Sequence, residues 1–245
     1  MRTAYREDLD SFAHDLIVMC DSVQTIMSKA SHALLGASLQ AAEEALSMAD
    51  ELEEIRVRCE ERAVELLALE GPVARDLRQV ISSIYIVEDF NRMAALAMHV
   101  AKAARRRHPE HAVPERMAGY FTEMARLVTE MAEKTRNILI DPNADAALML
   151  SDDDDAVDDL NDHMLVMLTQ REWAYSTREA VDVALLARFY ERYADHCVNV
   201  AARIVYLTSG LNPDEYLAKR ERDEAEADIA RRFEELERQF SHRRE

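Results

Sequence analysis

The chain has 245 residues, a formal net charge of −18 and 49% hydrophobic residues, which is enough apolar material for a sizeable core. So acidic a surface repels phosphate backbones and disfavours nucleic-acid binding, and no stretch approaches the roughly 18 apolar residues of a membrane-spanning helix. The charged N-terminus lacks the apolar region of a signal peptide, and the three cysteines are too widely spaced for a disulfide framework. We therefore expect a cytoplasmic protein without direct membrane insertion.

Long helices are predicted because the chain has only four glycines and five prolines and is rich in Ala, Glu, Leu, Arg and Met. The few breakers mark the helix ends, since glycine favours the position just after a helix and proline the first turn of the next. Ser176 and Glu179 have the spacing of a capping box, which places one further helix start. The predicted helices cover residues 3–35, 38–70, 73–107, 115–140, 144–173 and 177–209.

A segment of the third predicted helix returns in the sixth at an offset of one hundred residues. NRMAALAMHVA, from Asn91, aligns with ERYADHCVNVA, from Glu191, and the matched apolar positions keep one helical face. A weaker match joins LEEIRVR, from Leu52, to DDAVDDLN, from Asp154. The sequence therefore predicts a duplicated three-helix unit.

This repeat divides the chain into three predicted parts. The first three-helix unit takes residues 1–110 and the second takes residues 111–211. Residues 212–245 are predicted to form a charged C-terminal helix or tail, which has little apolar content and lies, solvated, on the bundle. The predicted fold class of the whole protein is all-α.

Two pairs of carboxylates stand out in the second unit. Asp154 and Asp158 are spaced i, i+4, as are Glu191 and Asp195 on the following predicted helix, so each pair projects from one helix face. If the two faces meet, four like charges converge and require a cation, protons or arginines to coexist. Carboxylate oxygens suit hard cations such as magnesium, calcium, manganese or iron. Solvated acidic charge is the alternative interpretation.

The sequence favours binding over catalysis. It contains no Glu-x-x-His, no H-E-x-x-H, no P-loop and no G-x-S-x-G, so we predict no catalytic residues and no enzyme. Two alternatives stay open: a metal-dependent hydrolase of phosphate compounds, and a passive helical scaffold.

The segment from Glu191 resembles the PhoU family of phosphate-signalling regulators. That family carries a motif of Glu, Arg, two variable residues, Asp, His, two more and Asn, which Glu191, Arg192, Asp195, His196 and Asn199 match position by position. VARDLRQV, REWAYS and RRRHPEHAVPE also look like PhoU, and the resemblance covers about residues 1–210.

The resemblance implies a fold of two antiparallel three-helix bundles related by a pseudo-two-fold repeat. It also implies a cytosolic negative regulator of the phosphate-starvation response, which acts as an adaptor between the ATPase of a phosphate ABC transporter and a sensor histidine kinase. A homodimer is expected, with a divalent or trivalent metal ion (iron, zinc, manganese or magnesium) held by Asp154, Asp158, Glu191 and Asp195.

The first unit departs from the family pattern. Asn91 and Ala95 stand where the motif expects Glu and Asp, and the preceding helix offers Leu52 and Arg56 where the second unit has Asp154 and Asp158. We therefore expect the first metal site to be lost and the second kept, with Arg56 supplying a fixed cation in its place.

Overall fold

The structure is a computed structural model, and it describes residues 2–69, 71, 73–169 and 172–241. Every regular element in these ranges is an α-helix, which confirms the predicted all-α class. The eight described helices are α1 (Arg2–Gly36), α2 (Leu39–Ser47), α3 (Ala49–Leu69), α4 (Arg75–Arg107), α5 (Glu115–Ile140), α6 (Ala144–Thr169), α7 (Thr177–Ser209) and α8 (Pro213–Ser241). None of them has an apolar stretch long enough to cross a membrane.

Two predicted helix boundaries are wrong. The predicted helix at residues 38–70 is interrupted at Met48, where the Ser47 hydroxyl donates to the Glu44 carbonyl oxygen and competes with the helical backbone. The helix predicted to reach residue 173 ends at Thr169, and Trp173 instead donates its indole N–H to the Ser176 carbonyl. Residues 70, 72, 170 and 171 lie outside the described part of the chain.

The helix-terminal signals are largely confirmed. Ser176 and Glu179 form the predicted capping box at the start of α7, and Gly210 ends that helix in the left-handed conformation, with a φ of 76°. At the end of α1, Gly36 is still helical and Ala37 takes the left-handed position, with a φ of 48°.

The helices form two sets that share one core. In the first set α1 packs on α2, α3 and α4, and in the second α5, α6 and α7 pack on one another. The sets meet where α4 contacts α7 and α1 contacts α5, and a buried hydrogen bond of 2.7 Å joins Ser31 of α1 to Tyr190 of α7. The boundaries at residues 110/111 and 211/212 stay predictions.

α4 and α7 run antiparallel along their contact. Tyr85, near the start of α4, lies under the guanidinium of Arg203, near the end of α7, at 3.9 Å. Further along, His99 stacks on Phe189 with ring centroids 5.2 Å apart. Residue numbers rise on one helix as they fall on the other, so each end of α4 meets the opposite end of α7.

The described hydrogen bonds between α8 and the bundle lie near the start of α8. Asn212 and Glu215 cap it reciprocally, and Tyr216 and Arg220 both bond to Asp145 of α6, at 3.2 Å and 3.1 Å. All side chains at residues 221–234 are exposed. The predicted charged helix is therefore present, but most of its described length projects from the bundle instead of lying on it.

One buried carboxylate fastens the C-terminal end of α4 to α7. Asp182 of α7 is buried, Arg106 donates to it at 3.1 Å, and Arg107, whose side chain is only 10% exposed, donates from Nε at 2.7 Å. Buried charges of this kind are costly when one partner is removed, because the other stays desolvated and unpaired.

We expect Asp182→Ala to lower the free energy of unfolding by about 3 kcal/mol, because it leaves Arg107 without its carboxylate. Asp145→Ala removes an exposed ion pair with Arg220 and serves as the control, with an expected change below about 1 kcal/mol. Denaturant unfolding followed by circular dichroism measures both. Equal losses in the two variants would contradict a structural role for the buried pair.

Candidate functional site

The predicted carboxylates come together where α6 packs on α7. Local signals set the start of each helix, since Asn143 accepts from the Ala146 N–H at the start of α6 and the capping box begins α7. This places two pairs of carboxylates on facing helices. The carboxylate cluster consists of Asp154, Asp158, Glu191 and Asp195.

Electrostatics show that the four groups act on one another. Burial raises the pKa of Asp154 to about 7, and the three other carboxylates of the cluster contribute to the rise. Burial also raises the pKa of Asp158 and of Glu191, and Asp195 adds to both shifts. The convergence expected from the sequence is therefore present. Metal binding by these residues stays a prediction.

The cluster contains buried oxygens without protein donors. Glu191 is only 6% exposed, and neither its Oε2 nor the Oδ1 of Asp154 accepts a hydrogen bond from any described residue. The same holds for Oδ1 of the buried Asn161, seven residues after Asp154 and so on the same face of α6. Buried polar atoms left without a partner are rare and point to a ligand or water.

Arg188 is the arginine that hydrogen-bonds the cluster, and the sequence reasoning missed it. Its guanidinium donates from one terminal nitrogen to Glu191 Oε1, one helical turn further along α7. It also opposes the rise in the pKa of Asp158 on α6. The i, i+3 spacing of Arg188 and Glu191 was a signal available in the sequence.

The donors fit a hard cation. Carboxylate and amide oxygens are the ligands that magnesium, manganese and calcium prefer, whereas zinc sites usually include nitrogen or sulfur. Within the described ranges no three His, Cys, Asp or Glu side chains are arranged to hold a metal as they stand. Holding one would require new rotamers, and Glu191 would offer its unpartnered Oε2 while Arg188 holds its Oε1.

Two motif residues point away from the cluster. His196 pairs with Asp89 of α4 at 2.9 Å, so its ring joins the two helical sets. Asn199 lines a separate cleft with Tyr85 and Arg203. The matched motif therefore serves both the carboxylate cluster and the contact of α7 with α4.

The positions of the first set that match the cluster are Leu52, Arg56, Asn91 and Ala95, and the expected loss of a metal site there stays a prediction. Leu52 is buried, Asn91 is half-buried and Ala95 is exposed. Arg56 forms ion pairs with Glu53 and Glu60 on its own helix.

At matching positions, the two sets have an acidic and a basic residue that attract each other across the helix contact, with the two charges exchanged between the helices. Glu88 of α4 attracts Arg56 of α3, and in the second set Arg188 of α7 attracts Asp158 of α6. By the hundred-residue offset Glu88 corresponds to Arg188, and the weaker match aligns Arg56 with Asp158. A guanidinium thus lies at this helix contact in both sets, but on opposite helices.

Exposed apolar side chains adjoin the cluster. Val181 and Leu185, which we call the α7 stripe, are 51% and 49% exposed and lie one turn apart. Arg188 and the exposed Arg192 continue the same face of α7. Ile81 and Tyr85 occupy the matching positions on α4 and are also exposed.

We expect the free energy of unfolding of the metal-free protein to fall as the pH rises from about 4 to about 7. In this range folded Asp154 still holds a proton that the unfolded chain has already released. Asp154→Asn removes this loss, so its free energy of unfolding at pH 8 should exceed the wild-type value by roughly 1 kcal/mol after solvent screening. Urea unfolding in EDTA at pH 5 and pH 8 tests it, with the exposed Asp152→Asn as control. Parallel pH profiles for wild type and Asp154→Asn would refute the assignment.

Comparison with known proteins gives the same architecture. The sequence model of the PhoU domain matches the chain twice, at residues 16–104 and 121–204. The crystal structure of PhoU from Pseudomonas aeruginosa superposes with a TM-score of 0.76 at 25% identity, covering 86% of this chain and 100% of that one.

Similar sequences extend over most of the chain. The phosphate-specific transport system accessory protein PhoU homolog 2 of Mycobacterium tuberculosis is 45% identical over 213 residues, which cover 87% of this chain and 100% of that protein. The corresponding PhoU homolog 1 of Mycobacterium leprae is 42% identical over 215 residues, covering 88% and 97%. The domain match in both helical sets and the identity to these full-length relatives show that the chain belongs to the PhoU family.

Proposed function

We propose that this protein is a cytoplasmic accessory protein of a phosphate-specific transport system and acts by docking, without a reaction of its own. The mycobacterial relatives are named as accessory proteins of such a system. The observation that carries the proposal is the exposed α7 stripe, which lies one helical turn before Arg188, the hydrogen-bond partner of Glu191 in the carboxylate cluster.

The α7 stripe has the features of a docking surface. Protein interfaces combine apolar anchors with a polar rim, and exposed apolar side chains on one helix face serve as such anchors. Val181 and Leu185 supply the anchors, and Arg188 and Arg192 supply the rim. The partner that we propose for this surface is the ATPase subunit of the phosphate transporter. A sensor histidine kinase is the second partner of the adaptor. The outcome is negative regulation of the phosphate-starvation response.

We further propose that the carboxylate cluster binds one divalent or trivalent metal ion, which balances its charge and sets the state of the docking face. Its oxygen donors favour magnesium, manganese or iron over zinc. A homodimer is part of the same proposal, and the mass of the purified protein in solution tests it.

Leu185→Asp is expected to reduce capture of the transporter ATPase at least about tenfold, because it places a charge among the apolar anchors of the docking face. Tagged protein is crosslinked in cells grown with high and with low phosphate, and the captured ATPase is quantified by mass spectrometry. Phe233→Asp introduces the same charge at an exposed apolar position of α8 and should leave capture unchanged.

Two results would contradict this docking face. Equal ATPase capture by Leu185→Asp and the wild type would remove the α7 stripe from the proposal. Loss of capture in Phe233→Asp alone would move the docking surface to α8.

Elemental analysis should find one equivalent of metal per chain, lost when Glu191→Gln and Asp195→Asn are combined, because both are ligands of the proposed site. Glu88→Gln is the control and should keep the one equivalent of metal, since Glu88 lies in the first set at the position that corresponds to Arg188. If the double variant retains metal, or metal divides equally between the two sets, the proposed site is wrong. Wild-type partner capture and phosphate repression by a stable double variant would show that the site has no role in docking.

A further inference from the structure

Arg188 is placed to neutralise the carboxylate cluster from within the chain. Its guanidinium donates to Glu191 on α7 and attracts Asp158 on α6, so it acts on both helices that form the site. The Arg188 side chain is 56% exposed, whereas the Glu191 side chain is buried. The charged end therefore approaches the cluster from solvent and has room to withdraw.

A cation at this position is an electrostatic requirement. Four carboxylates in a partly desolvated site repel one another, and burying one of them without a partner is strongly destabilising. Arg188 satisfies one oxygen of Glu191, while Oε2 of Glu191 and Oδ1 of Asp154 receive nothing from the described residues. The internal cation therefore compensates the cluster only in part.

In the first set an arginine also balances the acidic residues at the helix contact, and several carboxylates hold it in place. There Arg56 is held by Glu53 and Glu60 on its own helix, and Glu88 attracts it across the helix contact. Among the described residues Arg188 has one carboxylate hydrogen-bond partner, Glu191, which is also a proposed metal ligand. The cation of the second set is thus attached more weakly than that of the first.

We propose that Arg188 is a displaceable counter-ion, which occupies the carboxylate cluster in the metal-free protein and leaves Glu191 when a metal ion binds. The inference rests on the proposed metal site and names what regulates it. A metal ion and the guanidinium would neutralise the same carboxylate of Glu191, and two cations beside it repel each other. Arg188 therefore weakens metal binding, and metal binding releases Arg188. The released guanidinium lies one turn beyond Leu185, at the end of the α7 stripe.

Calorimetric titration with manganese chloride tests the competition. Arg188→Gln should bind manganese about tenfold more tightly than the wild type, because the ion no longer displaces a charge-assisted hydrogen bond. Arg188→Lys keeps the charge and should bind more weakly than Arg188→Gln. Arg126→Gln is the matched control, since Arg126 of α5 is 49% exposed and pairs with carboxylates three and four residues away, so its affinity should equal the wild-type value.

The outcomes separate this inference from the proposed function. Equal or weaker manganese binding in Arg188→Gln, with a wild type that binds, would overturn displacement and leave the metal site standing. Binding by neither protein would overturn the metal site and displacement together.

A double-mutant cycle on metal-free protein keeps the test decisive if Arg188→Gln alone folds poorly. Arg188→Gln and Glu191→Gln are combined, and unfolding is measured in EDTA. A favourable coupling energy between the two residues is the expected result. Additive effects would show that Arg188 is not the counter-ion of Glu191 and would overturn the inference.

Discussion

The packing of α7 is the constraint on which the rest of the structure depends, because this one helix contacts α4, α5 and α6. On the α4 side its rotation and register are set by specific polar and aromatic contacts, including His196 with Asp89 and Phe189 with His99. Once those contacts fix the helix, Glu191 must face α6. The carboxylate cluster is therefore a consequence of how the two helical sets are joined, and not a feature of the second set alone.

The sequence predicted what depends on local chemistry and periodicity. Scarce breakers gave the long helices, the Ser176–Glu179 spacing gave the start of α7, and i, i+4 pairs on facing helices gave the cluster. The break at Met48 was missed because no glycine or proline marks it. The pairing of His196 with Asp89 was missed because it joins side chains more than one hundred residues apart, which only the packed fold brings together.

The two repeats show two ways of balancing charge at the same helix contact. In the first, the guanidinium of Arg56 is paired with Glu53 and Glu60 of its own helix, and the buried Leu52 stands where the second repeat has Asp154. In the second, the four carboxylates outnumber Arg188 and Arg192, the two described arginines that oppose the rise in the pKa of Glu191. Oε2 of Glu191 and Oδ1 of Asp154 stay without a donor, so the site is electrostatically incomplete. An incomplete site responds to an added cation, whereas a complete one does not. The proposed cation sensitivity would thus be confined to the second helical set.

This confinement matters because electrostatic effects in the cell reach only about 8 Å before salt screens them. A change of charge in the cluster acts on a partner only if the partner touches the protein nearby. The α7 stripe meets that condition, since Arg188 follows Leu185 by one turn and contacts the cluster directly. A docked protein would meet either a guanidinium held to Glu191 or one free in solvent, while the apolar anchors stay unchanged. The apolar anchors would then supply most of the affinity for the partner. The position of the Arg188 guanidinium would make that affinity depend on whether the carboxylate cluster holds a metal ion.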